Sequence, residues 1–340
     1  MEKLAVDLCC GVGGMSLGFS KAGFSVVVAV DNEPINCQYH EKNFPDCKVL
    51  ERDLTNLTGS EVRAESDLGT KRINLVFGGP PCQGFSLIGK RDRDDPRSSI
   101  LHEFTRIAIE LDPKMIVIEN VLGLASGYGR THLDQVKNKL LTAGYISLLE
   151  LKLNAADFGV PQARRRIFLI ASKGVLNFKE IPKPDFNKAT VKDAIANIGS
   201  GQPRSLYLKT ITELFSTENS STKVLGNHKL PVHSKSVIKR FRKTIPGSSE
   251  PISRYPRLDW SGVCPTIRAG TLPDKGSFMA ARPIHPDGAR CITVREAARL
   301  HSYPDTFQFH NSHWHGFRQI GNSVPPMLAY YVAKALISDQ

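Results

Sequence analysis

The strongest constraint on the fold is an alternation of short apolar runs with amphipathic stretches over the first 170 residues. Leu4-Ala5-Val6, Val26-Val27-Val28-Ala29-Val30, Asn74-Leu75-Val76-Phe77 and Met115-Ile116-Val117-Ile118 are brief and apolar almost throughout. That is the pattern of strands buried on both faces of a parallel sheet. A fifth run, Arg166-Ile167-Phe168-Leu169-Ile170, follows later. Helical spacing predicts helices over 15–22, 35–43, 100–111 and 133–143. Strands alternating with helices predict an α/β fold built on a doubly wound, mostly parallel sheet. Ligands of such sheets collect beyond the carboxyl ends of the strands, so the residues that follow each strand carry the functional information.

From about residue 181 the texture changes. Pro182, Pro184, Gly199, Gly201 and Pro203 punctuate the chain and long apolar runs disappear. Helical patterns return at 294–300 and 326–337. A chain of 340 residues suits two domains at roughly 150 residues each. The expected arrangement is a catalytic and cofactor-binding domain over 1–180 and a second, smaller irregular domain over 181–286. A segment over 287–340 then returns to the first domain.

Charge divides along the same line. Lys and Arg total 45 against 33 Asp and Glu, a net charge of +12. Residues 1–170 hold 21 basic and 21 acidic residues, and the remainder holds 24 and 12. Between residues 219 and 249 there are seven basic residues and no acid. A neutral body joined to a basic part points to a polyanion, with nucleic acid favoured over a merely solvated basic face. Charge does not distinguish DNA from RNA. No stretch approaches the roughly 20 apolar residues that span a bilayer. The seven cysteines are scattered apart from Cys9-Cys10 and include no C-x-x-C pair, which fits reduced thiols in a cytoplasm. The run from Phe309 to His315, with His310, His313 and His315, lacks companion ligands at metal spacing and reads as a surface loop, so no metal is expected.

After the first run comes Asp7-Leu8-Cys9-Cys10-Gly11-Val12-Gly13-Gly14. The glycines allow a tight turn and close approach of a ligand to the backbone at a helix start. This is G-x-G-G with an acid before it, not the dinucleotide G-x-G-x-x-G, and by itself it serves equally as a turn without a ligand. Asp31 and Asn32 follow the second run, and Asp53 and Leu54 the next edge. Acids at successive strand ends around a glycine loop suit a positively charged, adenosine-containing cofactor, a description S-adenosylmethionine meets. The Asn74-Leu75-Val76-Phe77 run leads into Gly78-Gly79-Pro80-Pro81-Cys82-Gln83, where a cysteine on a stiff Pro/Gly turn is a candidate nucleophile. A charged stretch over 89–99 follows, with Lys90, Arg91, Arg93 and Arg97 placed to close over phosphates. Glu119 and Asn120 follow Met115-Ile116-Val117-Ile118, and a carboxyl group there can reach the pocket of Cys82. In Gln162-Ala163-Arg164-Arg165-Arg166, strand alternation puts Gln162, Arg164 and Arg166 on one face.

Taken in order, these residues resemble the cytosine-5 DNA methyltransferase family of the prokaryotic restriction-modification type. The set is completed by Arg257-Leu258-Asp259-Trp260, Pro265-Thr266-Ile267, Thr293-Val294-Arg295-Glu296-Ala297-Ala298-Arg299-Leu300 and Gly321-Asn322-Ser323-Val324-Pro325-Pro326. The resemblance covers residues 3–175 and 255–337. It implies a Rossmann-like S-adenosylmethionine-dependent fold and methyl transfer to carbon 5 of a cytosine flipped out of duplex DNA. In that scheme Cys82 attacks carbon 6, Glu119 protonates the neighbouring ring nitrogen, and Arg164 holds the base's carbonyl oxygen, with Gln162 and Arg166 beside it. The cofactor falls to Asp7, Cys9, Gly11, Gly13, Gly14, Asp31, Asn32, Asp53, Leu54, Gly79, Pro80, Asn322 and Ser323. Many members carry an aromatic residue where this chain has Cys9, which bears on cofactor affinity rather than on the reaction.

The irregular domain then becomes the target-recognition domain. A helix over 235–243 turns Val237, Ile238 and Phe241 inward and leaves Lys239, Arg240 and Arg242 for phosphates. Arg257 belongs to the same basic surface, and Arg268 and Arg282 are expected to reach base edges. The expected partner is double-stranded DNA, bound by a monomeric cytoplasmic enzyme. Analogy adds a cognate restriction endonuclease, without a stable complex. The competing readings are an RNA cytosine-5 methyltransferase acting on tRNA, a catalytically silent DNA-binding homologue and a dinucleotide-dependent oxidoreductase.

Overall fold

The computed structural model describes residues 2–81, 97–184, 188–198, 205–215, 226–270 and 282–338, without the side chains of 97–99. The strands are β1 (Leu4–Leu8), β2 (Ser25–Asp31), β3 (Lys48–Glu51), β4 (Leu75–Gly78) and β5 (Met115–Asn120), then β6 (Ser147–Asn154), β7 (Gln162–Ala163), β8 (Arg165–Ser172) and β9 (Cys264–Pro265). The helices are α1 (Gly14–Ala22), α2 (Pro34–Asn43), α3 (Gly59–Glu65), α4 (Arg97–Glu110) and α5 (Tyr128–Thr142) in the first half. They continue as α6 (Val191–Ile195), α7 (Leu206–Phe215), α8 (Lys235–Lys243), α9 (Val294–Leu300), α10 (His313–Asn322) and α11 (Pro326–Ser338). Among the described residues, none of these helices is long and apolar enough to cross a membrane.

The chain divides into two compact units. One comprises Met1–Leu153, Arg165–Pro182 and Tyr330–Gln340, and the other Asn154–Arg164 and Lys183–Ala329. Of the 287–340 segment expected to rejoin the first domain, the part before Tyr330 therefore groups with the second unit. The physical reason lies in α9, whose charged residues are buried rather than exposed. Arg299 donates to the Ala194 carbonyl and the Asn197 side chain, and its own carbonyl accepts from the Tyr207 hydroxyl.

The first unit carries a seven-stranded sheet in the order β3-β2-β1-β4-β5-β8-β6. The pairs β2–β3, β1–β2, β1–β4 and β4–β5 are parallel, whereas β8 runs antiparallel to β5 from Met115↔Ser172 to Asn120↔Ile167. The fifth apolar run is thus a strand of the same sheet in the opposite direction. Its core is made by Val6, Leu8, Val28, Val30, Val76, Ile116, Ile118, Ile167 and Leu169 of the strands, packed with Phe104 and Ile107 of α4 and Val136 of α5. The chain builds β1, β2 and β3 outward, then crosses back to lay β4 on the other side of β1. The carboxyl ends of β1 and β4 therefore flank the point where the winding reverses, the place where such sheets bind ligands.

The second unit has a two-stranded ladder of β7 and β9 and a hairpin closed by the bonds Arg257 N–H to Ser248 O and Glu250 N–H to Tyr255 O. The hairpin lies next in the chain to α8. Phe241 of α8 packs with Ile284 and Cys291. The histidine-rich stretch expected to be a loop is one from Phe309 to Ser312, and its last three residues open α10, capped by the Ser312 hydroxyl at the His315 N–H.

Candidate active site

Two glycines shape the reversal point. At Gly78 an added Cβ would lie 1.6 Å from the Leu8 carbonyl oxygen, so the ends of β1 and β4 meet this closely only without a side chain there. Gly13 has φ +97°, and a Cβ would sit 2.3 Å from the Phe44 ring and 3.1 Å from that of His40. Below the loop, the buried Ser16 hydroxyl donates to Asp7 Oδ2 at 2.5 Å and lies 3.0 Å from His40 Nε2. This network ties the last turn of β1, the first turn of α1 and α2 together. Burial pushes Asp7 well above the usual carboxylate range against the Ser16 hydrogen bond, and lowers His40 to about 3.

Acids converge on the loop. Asp31 Oδ2 accepts the Gly11 N–H at 2.8 Å, while Oδ1 accepts the Glu33 N–H at 2.9 Å and the Asn36 amide at 3.3 Å. Asp53 caps the turn that follows β3, accepting the Thr55 N–H at 2.9 Å and hydroxyl at 2.8 Å, and Asn32 hydrogen-bonds it as well. These bonds hold Asp53 below its usual range, the Thr55 N–H most of all. Leu54 is buried in the core behind it. Cys9 adopts φ +65°, and burial together with the fields of Asp31, Asp7 and Asp53 pushes its thiol well up. Among the described residues, Asp7 Oδ1 is buried without a hydrogen-bond partner, and no atom lies within 4 Å of a Cβ built on Gly11. Three carboxylates around an open glycine loop favour a cationic ligand over a pyrophosphate.

On the β4–β5 side, Glu119 is buried at the end of β5, and its Oε1 pairs with Arg166 Nε at 2.8 Å. Arg166 Nη1 donates to the Arg165 carbonyl at 2.8 Å. A Cβ on Gly79 would come within 2.9 Å of Glu119 Oε2. The Asn120 amide donates to the Pro80 carbonyl at 3.1 Å. The backbone at Pro80 is therefore held by Asn120, with Glu119 close against Gly79. Cys82 and Arg91 lie outside the described residues, as does the side chain of Arg97, with which α4 begins.

The family model for C-5 cytosine-specific DNA methylase matches residues 4–338. The chain belongs to this family. Type II methyltransferase M.XorII of Xanthomonas oryzae pv. oryzae is 43% identical over 350 residues, covering 96% of this chain and 82% of that protein. Type II methyltransferase M1.HphI of Haemophilus parahaemolyticus is 35% identical over 356 residues, covering 99% and 87%. A crystal structure described as a DNA modification methyltransferase encoded within an E. coli prophage superposes with a TM-score of 0.81 at 30% identity, over 99% of each chain. The enzyme is a DNA cytosine-5 methyltransferase, using a methyl donor, and the tRNA alternative is not favoured.

Within this methyltransferase the Gln-x-Arg-x-Arg residues do not lie on one continuous strand. β7 ends at Ala163 and β8 begins at Arg165, so Arg164 sits in the break between strands. Arg164 is buried, and its guanidinium donates to the carbonyls of Ile267 (3.2 Å), Gly321 (2.9 Å) and Ser323 (2.8 Å). This corrects the expectation that Arg164 holds the base: a fully buried guanidinium engaged by three carbonyls organises the backbone. Gln162 is likewise structural, donating to Leu300 O and His301 Nδ1 and accepting from the Ile267 N–H. His301, which the sequence reading passed over, bridges Gln162 to the Ser323 carbonyl. Ser323 donates its own hydroxyl to Ile320 O, and Asn322 is exposed at the end of α10.

Two expected DNA contacts also prove internal. Arg257 donates to the carbonyls of Pro286, Phe241 and Thr244. Arg282 donates to Arg268 O and Ala269 O and stacks on Phe317, with burial lowering it to about 10. Both arginines spend their donors on backbone carbonyls, which a charge count cannot reveal. Arg240 pairs with the buried Glu250 at 3.2 Å and stays about one-third exposed. Lys239, Arg242 and Arg268 are exposed.

Proposed function

We propose that the enzyme transfers a methyl group from S-adenosylmethionine to carbon 5 of a cytosine flipped out of a specific duplex DNA sequence, through a transient covalent bond to Cys82. The observation that carries this reading is the Glu119–Arg166 pair at the end of β5, against Gly79 and one residue from the Asn120 amide that holds Pro80. The Cys82 thiolate attacks carbon 6 as Glu119 delivers a proton to ring nitrogen 3, so no ring anion has to persist. Arg166, anchored through Nε on Glu119 and Nη1 on its own backbone, stands beside that carboxylate and takes the carbonyl role expected of Arg164. Loss of the carbon 5 proton and expulsion of Cys82 then restore aromaticity.

The bound donor supplies an electrophilic methyl group. Gly11, Gly13 and Gly14 give its methionine end room, Asp31 meets the ribose, and Asp53, with Asn32 and Leu54 behind it, meets the adenine. Asp7 and Cys9 lie at the base of that site, Gly79 and Pro80 along it, and Asn322 and Ser323 belong to it by family resemblance. The acids that surround Cys9 support a cationic donor. Residues 1–180 carry donor binding and chemistry, residues 181–286 choose the target, and the segment from 287 contributes the Asn322 turn. Lys239 and Arg242 on α8 take DNA phosphates, and the remaining candidates, Arg91, Arg97 and Arg268, act on the same strand backbone or base edges. The enzyme works as a monomer in the cytoplasm, in a restriction-modification system with a cognate endonuclease to which it does not bind stably.

The test is labelled S-adenosylmethionine with duplex DNA or tRNA, using Cys82→Ser as control. Label on DNA that disappears in the variant is expected. Label on tRNA alone, or retained by the variant, overturns the reading.

A further inference from the structure

We propose that Arg106, in the middle of α4, is a positioning residue for the adenine side of the donor site. The proposal rests on the reading of Asp53 as a donor contact. Arg106 Nη2 donates to the carbonyls of Leu54 at 3.2 Å and Leu57 at 2.8 Å, the first residue of the 3₁₀ turn Leu54–Asn56 and the residue just past its end. Its Nη1 donates to Glu110 Oε1 at 2.9 Å and its Nε to Glu103 Oε2 at 2.8 Å. The carboxylates stand three residues before and four after it on the same helix face, so the guanidinium is held from both sides while it reaches across to the turn.

Glu110 extends the clamp. Its Oε2 accepts the N–H of Gly59, the first residue of α3, at 2.7 Å. A Cβ on Gly59 would lie 2.7 Å from Glu110 Cβ, so the approach is close enough to require glycine. One pair of side chains on α4 thereby fixes the whole connection from Asp53 to Gly59. Among the described residues, Asp53 hydrogen-bonds with Thr55 in its own turn and with Asn32. Leu54 and Leu57 remain anchored in the core without Arg106, so the fold does not depend on the clamp. Arg106 is about one-third exposed, and half-exposed ion pairs add little stability. What the clamp supplies is a fixed direction for the Asp53 carboxylate before the donor arrives, and preorganisation of this kind appears as affinity.

The experiment is titration calorimetry of S-adenosylmethionine and S-adenosylhomocysteine against wild type, Arg106→Ala, Arg106→Lys, Glu110→Ala and Asp53→Ala, with steady-state kinetics alongside. Arg106→Ala is expected to raise Kd about tenfold, to raise the donor KM in step, and to leave kcat within about twofold of wild type. Arg106→Lys should fall between, because an ammonium group reaches one carbonyl but not both. Glu110→Ala should move Kd in the same direction, and it decides the matter if Arg106→Ala fails to fold. A lowered melting temperature with unchanged Kd and KM in the Arg106 and Glu110 variants overturns the proposal. An unchanged Kd in Asp53→Ala overturns the donor-site reading itself, a result distinguishable from the first.

Discussion

Replacing Arg164 by alanine should damage the fold, whereas replacing Arg166 should damage the chemistry. The Arg164 guanidinium supplies the donors for three carbonyls, on Ile267, Gly321 and Ser323, and the side chain is only 2% exposed. A buried acceptor that loses its partner costs about 1–3 kcal/mol. Part of that returns when the backbone relaxes or water enters, leaving about 3–5 kcal/mol in total. That is a large share of a typical stability of about 5–15 kcal/mol and corresponds to a fall in Tm of roughly 6–15 °C. Among the described residues, Arg166 bonds to the neighbouring Arg165 carbonyl and to Glu119 at the site. Arg166→Ala is therefore expected to lower kcat by about a hundredfold or more, the scale of losing one donor to developing charge, with a smaller change in Tm. Thermal unfolding followed by circular dichroism, paired with methyl-transfer kinetics on both variants, separates the two. If Arg164→Ala melts within about 2 °C of wild type yet loses kcat, the assignment of structural and chemical roles is reversed.

Three further outcomes follow from the same geometry. Burial holds His40 down to about 3, while an unfolded histidine titrates near about 6.5, so acidification protonates the unfolded chain first and stability drains as pH falls from about 6.5 toward 3. Asp7, raised by burial, acts with the opposite sign in wild type and variant alike, so His40→Gln should lose about 3 kcal/mol less than wild type between pH 6.5 and 4 by urea unfolding; parallel curves would contradict this. Gly78→Ala should give no folded protein, because the new methyl falls on the Leu8 carbonyl; a soluble variant with wild-type circular dichroism would show the strand ends can part. Lys239→Ala with Arg242→Ala should weaken binding to every duplex and lower the salt slope by about 2, whereas Arg257→Ala should lower Tm at an unchanged slope.

Much of this enzyme is legible in its sequence, and the unread parts share a cause. The uniformly apolar runs became β1, β2, β4, β5 and β8 because strands covered on both faces need no polar residues. β3 (Lys-Val-Leu-Glu) and β6 (Ser-Leu-Leu-Glu-Leu-Lys-Leu-Asn) are half-exposed and show no such run. The direction of β8 depends on how the chain returns to the sheet, which local pattern does not encode. Glu119 and the glycine loop were singled out because each sits at the carboxyl end of an apolar strand. Arginine roles were misassigned where burial decides them: Arg164, Arg257 and Arg282 look like cationic contacts in a list of residues, yet each is a donor to internal carbonyls. Arg106, Ser16 and His301 gave no signal because each reaches a distant partner: Leu57 lies 49 positions from Arg106, His40 lies 24 from Ser16 and Ser323 lies 22 from His301.

The central claim is a covalent bond between Cys82 and a cytosine of duplex DNA. Incubating the enzyme with S-adenosylmethionine and a duplex carrying 5-fluorocytosine in its target sequence tests it directly, because fluorine cannot leave as the proton does. The account predicts a stable protein–DNA adduct, resolved by denaturing electrophoresis and mapped by mass spectrometry to the peptide containing Cys82, and no adduct with Cys82→Ser. An adduct that persists in Cys82→Ser, or methylated DNA from a Cys82→Ser enzyme, would contradict it.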